Sequence, residues 1–142
     1  MSYADYWTNP PARELTGKRV GMIGFGHIAW RLRELLTPFE VSILAYEPYA
    51  PGELADALCV DFTTLNTVMG CDVVICLAPA TPETTGMIGA RELALLPRDG
   101  VFVNVSRAVV VDLVALVERP NGRTRGSAST STIRSRSRST HH

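Results

Sequence analysis

The sequence predicts a doubly wound α/β fold, in which helices cover both faces of a parallel sheet that is truncated after about five strands. Two observations predict this fold. Short apolar runs alternate along the chain with segments of helical spacing. The apolar runs are continuous rather than alternating with polar residues, which is typical of strands buried on both faces. The 142 residues suffice for one domain with a hydrophobic core.

The first predicted strand is the apolar run 18–26, which ends in a glycine turn. The segment 27–39 follows with the spacing of an amphipathic helix, and Pro38 helps to end it. Four residues of this helix are spaced to share one apolar face: Ile28, Leu32, Leu35 and Leu36.

The same alternation continues as far as residue 118. Further strands are predicted at 40–48, 59–62, 72–79 and 100–106. Further helices are predicted at 51–58, 63–71, 90–97 and 112–118. Thr63 or Thr64 is the predicted N-cap of the helix at 63–71, and Asp112 that of the last helix, because their side-chain oxygens can accept from free N–H groups.

Charge is divided unevenly along the chain. Residues 1–118 hold eight Lys or Arg and all fourteen acidic residues, whereas 119–142 hold six Arg and no acid, so net charges of −6 and +6 cancel. The acidic part shows no basic face that would indicate a specific nucleic-acid partner.

The sequence gives no indication of export or of a membrane. The N-terminus has an early acid and no apolar run, unlike a secretory signal, and no stretch approaches the ~18 apolar residues of a membrane helix. Cys59, Cys71 and Cys76 form no CxxC pair, so they are interpreted as reduced core thiols and no metal site is expected. A cytoplasmic protein is predicted.

A glycine motif, Gly24-x-Gly26-x-x-Ala29, stands between the first strand and the first helix. Glu47 strengthens this motif because it ends the second strand, 23 residues after Gly24, where a carboxylate can accept both ribose hydroxyls of an adenosine. Gly24 permits a sharp turn, and Gly26 lets the backbone and the helix N-terminus approach a pyrophosphate. The pattern predicts a Rossmann-type dinucleotide site, with a glycine turn that binds no ligand as the alternative.

Glu47 also bears on the choice of cofactor. Its carboxylate would repel a 2′-phosphate, and residues 47–53 supply no Arg or Lys to hold one. The sequence therefore predicts NAD rather than NADP.

Three stretches carry a resemblance to a known family. They are ELTGKRVGMIGFGHIA at 14–29, L-x-P-x-T-P-E-T at 77–84 and N-x-S-R-x-x-x-V-D at 104–112. With these motifs, residues 14–118 resemble the NAD-binding domain of the D-isomer-specific 2-hydroxyacid dehydrogenases. The resemblance implies oxidation of a 2-hydroxy acid, or reduction of a 2-oxo acid, by hydride transfer with NAD.

The resemblance also implies roles for individual residues around the cofactor. Backbone at His27 and Ile28 would meet the pyrophosphate, although the family more often has Arg or Lys at the position of His27. Pro79 and Thr84 would line the cofactor cleft after the fourth strand.

At the far end of the cofactor, the resemblance places Val105 and Ser106 beside the nicotinamide. It makes Arg107 the catalytic arginine that holds the substrate carboxylate, a role that suits a guanidinium because its paired N–H groups match a carboxylate. The family usually has Gly after this arginine, so Ala108 is a departure that narrows the room in the loop.

Some parts that the family implies are missing from this sequence. The family's acid/base is a His, oriented by a Glu, that follows the arginine motif; here the later histidines are the two terminal residues, and no acid follows Glu118. The substrate domain is absent too, and 1–13 resembles only a linking segment. The NAD-binding domain at 14–118 is therefore expected to be incomplete and catalytically incompetent alone.

The basic tail at 119–142 is rich in Arg, Ser and Thr and is predicted to be disordered, since Ile133 is its only large apolar residue. Plausible codons for 130–138, read one base earlier, spell Asp-Val-Tyr-Asp-Pro-Glu-Pro-Glu-Pro, which resembles the family's sequence at this distance from the arginine motif. A frame slip near Glu118–Arg119 is the favoured interpretation, and a genuine tail and a cloning scar are the alternatives.

Three functional hypotheses follow. The favoured one is the NAD-binding domain of a dehydrogenase whose whole form acts on a small 2-hydroxy or 2-oxo acid and is usually a homodimer. The alternatives are a non-catalytic NAD-binding or interaction module and an RNA-associated protein acting through its basic tail. The sequence does not indicate which 2-hydroxy acid is used.

Overall fold

The computed structural model of the chain describes residues 14–49 and 53–118. The predicted linking segment at 1–13 and the predicted disordered tail at 119–142 lie outside these described residues. The described part contains a sheet built from β1 (Arg19–Ile23), β2 (Ser42–Tyr46), β3 (Val60–Phe62), β4 (Val73–Cys76) and β5 (Val101–Asn104).

All neighbouring strands of the sheet are parallel, in the order β3-β2-β1-β4-β5. The chain builds the sheet outward from β1 to β3 on one side and then from β4 to β5 on the other, which confirms the predicted doubly wound topology. One row of paired residues crosses the sheet at the carboxyl ends of its strands: Tyr46, Ile23, Cys76 and Asn104. The loops that follow this row therefore share one edge, where open α/β sheets bind their ligands.

Helices connect the strands: α1 (His27–Leu36), α2 (Glu53–Leu58), α3 (Leu65–Met69), α4 (Ala90–Leu93) and α5 (Leu113–Val117). Thr64 is the N-cap of α3 and accepts from the backbone nitrogen of Thr67 at 3.3 Å. Asp112 caps α5 through the backbone nitrogens of Val114 and Ala115. Both predicted caps are confirmed, Thr64 being the one of the two candidates that is used.

Helices cover the sheet on both faces, and each face has its own apolar cluster. The cluster under α1 and α2 contains Val20, Met22, Ala29, Leu36, Ile43, Ala45, Leu58 and Val60. The cluster under α3, α4 and α5 includes Ile23, Val68, Met69, Val74, Cys76, Leu93 and Phe102. Gly21 of β1 faces α3, where a Cβ atom would lie 2.7 Å from the carbonyl oxygen of Val68. This close approach fixes α3 against the central strand.

The buried face of α1 differs from the predicted apolar face. Ile28 is 71% exposed and Leu35 is 55% exposed, whereas Ala29 is fully buried and Leu36 is 8% exposed. The glycine turn sets the rotation of the helix, and Ala29 is small enough to let the helix lie close to the sheet. The grouping of Ile28 and Leu35 with the core-facing residues is therefore wrong.

The cysteines also depart in part from the prediction. All three thiols are free, and Cys71 and Cys76 are buried, but Cys59 is exposed. Cys59 occupies the turn between α2 and β3 with a φ of 54°, and the next residue, Val60, takes the core position at 1% exposure. The prediction of Cys59 as a core residue is wrong.

Within 14–49 and 53–118, no helix is long and apolar enough to cross a bilayer. In the same part of the chain, no three His, Cys, Asp or Glu side chains come together as a metal site.

Candidate functional site

The glycine turn after β1 depends on the absence of a side chain at Gly24. The φ of Gly24 is +85°, a left-handed conformation that favours glycine. Its nitrogen donates to the carbonyl oxygen of Tyr46 at 2.8 Å. A Cβ atom at this position would lie 2.8 Å from the Cα of Ala78, in the loop after β4. Gly24 therefore holds the ends of β1, β2 and β4 together.

Gly26 has a different reason to be glycine. It is the N-cap of α1 with an ordinary φ of −104°, and no side chain caps the helix there. A Cβ atom at Gly26 would meet no described atom within 4 Å. The described part of the chain therefore imposes no packing demand on Gly26, and the open space lies at the N-terminus of a ten-residue helix. Such a helix end offers free N–H groups to an anion, so the turn fits a pyrophosphate.

Glu47 follows β2 and reaches the glycine turn. Its Oε2 accepts from the backbone nitrogen of Phe25 at 3.1 Å, and its Oε1 accepts from the backbone nitrogen of Tyr49 at 3.3 Å. An ionised carboxylate has about four acceptor positions, so two bonds to the backbone leave capacity for two ribose hydroxyls. The predicted ribose acid thus lies beside the predicted pyrophosphate turn, already held in place.

An aromatic pair supports the same turn. The rings of Phe25 and Phe62 are 5.5 Å apart and meet edge to face, with an interplanar angle of 85°. Such a pair contributes about 0.5–1.5 kcal/mol beyond its buried area. This contact was not predictable from the sequence, because Phe62 ends β3 and only the sheet order brings it to the turn.

The loop after β4 is closed by the hydroxyl group of Thr84. Its Oγ1 donates to the carbonyl oxygen of Pro79 at 2.6 Å and accepts from the backbone nitrogen of Thr81 at 2.8 Å. The structure therefore brings Pro79 and Thr84 together within one loop. The hydroxyl of Thr84 is used within the loop, so its direct contribution is to hold the shape of the loop.

The loop after β5 is organised by Asn104. This residue is 6% exposed and is the buried polar residue of the described core. Its Oδ1 accepts from both the nitrogen and the hydroxyl of Ser106, and its Nδ2 donates to the carbonyl oxygen of Arg107. Asn104 is the one polar residue in the apolar run VFVNV at 101–105, which was the available signal, but no separate role was predicted for it.

Arg107 stands at the surface of this loop. Its side chain is exposed, and no hydrogen bond or ion pair joins its guanidinium to another described residue. Val105, before it, is 54% exposed and is fixed by a bond from its nitrogen to the carbonyl oxygen of Cys76 at 3.1 Å. The backbone at 105–107 is thus well held, while the guanidinium is free to meet an anion.

The predicted site residues follow four adjacent strands at one edge of the sheet. Glu47 comes after β2, the turn 24–28 after β1, the loop 79–84 after β4 and the segment 105–107 after β5. Three strand spacings separate the outer two, a span of about 14 Å. An extended ligand along this edge would therefore have one end at Glu47, its middle at the glycine turn and its other end at Arg107.

This chain is similar to known dehydrogenases. The family model of the D-isomer specific 2-hydroxyacid dehydrogenase NAD-binding domain matches residues 3–130. A protein of Bacillus subtilis strain 168, YoaD, which is described as a 2-hydroxyacid dehydrogenase, is 40% identical over 111 residues, covering 78% of this chain and 31% of that protein.

Two solved structures extend the comparison. The D-lactate dehydrogenase of Salmonella aligns with a TM-score of 0.72 and 28% identity, over 78% of this chain and 34% of that one. The NAD complexed form of a D-isomer specific 2-hydroxyacid dehydrogenase from Lactobacillus delbrueckii ssp. bulgaricus aligns with a TM-score of 0.71 and 27% identity, over 82% of this chain and 36% of that one. This chain spans about a third of the length of these relatives.

Proposed function

This chain belongs to the D-isomer specific 2-hydroxyacid dehydrogenases through their NAD-binding domain, and we propose that it is the cofactor-binding part of an enzyme that interconverts a 2-hydroxy acid and its 2-oxo acid. The observation that carries this proposal is the bond between Glu47 and the nitrogen of Phe25. It joins the predicted ribose acid to the predicted pyrophosphate turn.

The chain's residues hold the cofactor along the edge of the sheet. The N–H groups of His27 and Ile28, in the first turn of α1, bind the pyrophosphate, because the first four N–H groups of a helix have no partner within it. Glu47 accepts from the adenosine ribose, and Val105 and Ser106 contact the nicotinamide ring. The cofactor, when bound, supplies a hydride acceptor or donor at its nicotinamide.

The position of Glu47 supports the choice of NAD. Both carboxylate oxygens already accept from backbone nitrogens, at Phe25 and Tyr49, so the side chain is held where the ribose arrives. Moving it aside to admit a 2′-phosphate would break both bonds, and leaving it there would place two negative groups together. Both outcomes disfavour NADP.

Arg107 binds the carboxylate of the organic acid. Its exposed guanidinium lies on a loop next to the segment that contacts the nicotinamide, so a bound acid would present its reacting carbon to the ring. A paired N–H···O contact fixes orientation as well as position. We propose a small 2-hydroxy or 2-oxo acid as the substrate class of the whole enzyme.

The described residues do not supply a base for the hydroxyl proton. The only histidine among residues 14–49 and 53–118 is His27, which stands at the glycine turn rather than beside Arg107. Without a positioned acid/base, proton transfer loses about 10²–10⁴ in rate. We therefore propose that the chain binds NAD but does not turn over 2-hydroxy acids by itself, which also keeps a non-catalytic NAD-binding module as the second candidate.

Calorimetric titration of the purified chain tests the proposal. We expect NADH to bind at one site per chain, and a mixed-sequence RNA oligonucleotide to give no saturable heat at physiological salt. Binding of RNA without binding of NADH would contradict the proposal and favour the RNA-associated alternative. An assay with glyoxylate, pyruvate and hydroxypyruvate tests the second part of the proposal. The chain alone should show no turnover, and measurable oxidation of NADH would contradict the absence of a positioned acid/base.

A further inference from the structure

Asn104 is buried at the carboxyl end of β5, where the apolar strand gives way to the loop that carries Arg107. Burial of an amide costs free energy unless its groups find partners. Here both ends of the amide have partners in the next three residues: Oδ1 lies 3.0 Å from the nitrogen and 2.7 Å from the hydroxyl of Ser106, and Nδ2 lies 3.4 Å from the carbonyl oxygen of Arg107.

These partners fix which way the amide points. The nitrogen of Ser106 can only donate and the carbonyl oxygen of Arg107 can only accept, so exchanging Oδ1 and Nδ2 would lose both bonds. Because Oδ1 is an acceptor, the hydroxyl of Ser106 directs its hydrogen to Asn104. The thiol of Cys76, 3.5 Å from that hydroxyl, is then the donor in their contact. The hydroxyl of Ser106 keeps one lone pair for a group outside.

We propose that Asn104 is a positioning residue of this site, which holds Ser106 and Arg107 in the turn that faces the nicotinamide end of the cofactor. The inference rests on the proposed placement of the nicotinamide beside 105–107. Asn104 is too buried to touch a ligand, so it acts through the backbone it holds. Since no hydrogen bond or ion pair joins the guanidinium of Arg107 to another described residue, the backbone is what places that side chain.

The comparison of NADH with ADP-ribose tests this role. ADP-ribose carries the adenosine and the pyrophosphate but no nicotinamide, so it does not reach the segment 105–107. Asn104→Ala removes all three bonds of the amide, and Asn104→Asp keeps the acceptor for Ser106 while losing the donor to Arg107. Asp72→Ala is the matched control: it removes a side-chain bond to the backbone nitrogen of Arg19, at the opposite edge of the sheet.

We expect Asn104→Ala to lower the affinity for NADH about tenfold while changing the affinity for ADP-ribose by less than about twofold. Asn104→Asp should lower the affinity for NADH by a smaller factor and again leave the affinity for ADP-ribose nearly unchanged. This variant is used for the test if the alanine variant does not fold. The control should leave both affinities unchanged. Amide hydrogen exchange at Ser106 should also quicken in Asn104→Ala relative to residues of β1.

If Asn104→Ala lowers the affinities for NADH and ADP-ribose equally, the inference is overturned, because a merely structural role lowers both affinities. Equal affinity of the unaltered chain for the two ligands would overturn it as well, since the nicotinamide would then gain nothing from 105–107. Both results leave the proposed binding of the adenosine and the pyrophosphate standing. An unaltered chain that binds neither ligand would instead refute the proposed function itself.

Discussion

The carboxylate of Glu47 lies 3.1 Å from the backbone nitrogen of Phe25, so the acid that follows β2 is hydrogen-bonded to the glycine turn that follows β1. Parallel pairing makes this possible, because Tyr46 and Ile23 are register partners at the ends of the two strands. The site is therefore organised before a nucleotide arrives. A preorganised site spends less of its binding energy on ordering its own groups.

The first prediction concerns cofactor choice. Glu47→Ala should narrow the preference for NADH over NADPH by at least about tenfold, because it removes both the acceptor for the ribose and the charge that repels a 2′-phosphate. Glu47→Gln is the matched variant, since it removes the charge and keeps an acceptor oxygen. Fluorescence titration with each nucleotide measures the ratio. A folded, unaltered chain that prefers NADPH would show that the role given to Glu47 is wrong.

The two glycines of the turn should respond differently to a methyl group. Gly26→Ala should change the free energy of unfolding by less than about 1 kcal/mol, since its Cβ enters open space. It should nevertheless lower the affinity for NADH at least about tenfold, because the methyl group blocks the approach of the pyrophosphate.

Gly24→Ala should instead destabilise the fold by about 2–4 kcal/mol, because it combines a left-handed φ with a 2.8 Å overlap at Ala78. Urea unfolding and NADH titration of both variants separate the two effects. Equal stability of the two variants would contradict the geometry of the turn.

Thiol reactivity tests the packing of the sheet. Burial raises the pKa of the Cys71 and Cys76 thiols, with Arg19 partly offsetting it for Cys71 and Ser106 for Cys76. At pH 8, Ellman's reagent should therefore modify Cys59 quickly and the other two only in denaturant. The free energy of unfolding should fall as the pH rises through the ordinary thiol pKa of 9.0, because the unfolded chain ionises there first. Rapid reaction of two or three thiols in the native protein would count against the fold.

His27 is the first residue of α1, beside the proposed pyrophosphate site. His27→Arg should raise the affinity for NADH several-fold, since a permanent cation would then lie beside the phosphate charge. The affinity for NADH should also fall more steeply as the salt concentration rises. His27→Gln, which adds no charge, serves as the control. Titrations at low and high ionic strength measure the difference. An unchanged salt dependence in His27→Arg would place the pyrophosphate away from the first turn of α1.

The sequence predicts what depends on local pattern. Short, mostly apolar runs located the five strands of the described sheet, and the distance from Gly24 to Glu47 predicted that the turn and the acid would meet. The rotation of α1 was not predictable from spacing alone, because Ile28 and Leu35 are as apolar as the residues that the helix buries. The rotation is set by the glycine turn and by how closely Ala29 approaches the sheet.

Contacts between segments that are distant along the chain could not be predicted from the sequence either. The bridge between Ile88 and Val111, and the bond from the nitrogen of Gly86 to the carbonyl oxygen of Val109, join the loop after β4 to the loop after β5. Asn104 was visible only as one letter of a motif. The roles of all the predicted site residues, from the glycine turn to Arg107, stay predictions. A cytoplasmic location and the family's dimeric assembly stay predictions too.

The central claim is that one extended dinucleotide lies across the carboxyl edge of this sheet. Titration of the ¹⁵N-labelled chain with NADH, followed by two-dimensional NMR of its amides, tests it most directly. We expect the largest shifts at 24–29, at Glu47, at 81–84 and at 105–107, and none at Arg19 and Asp72 on the opposite edge. An absence of shifts, or shifts centred away from these four loops, would contradict the account.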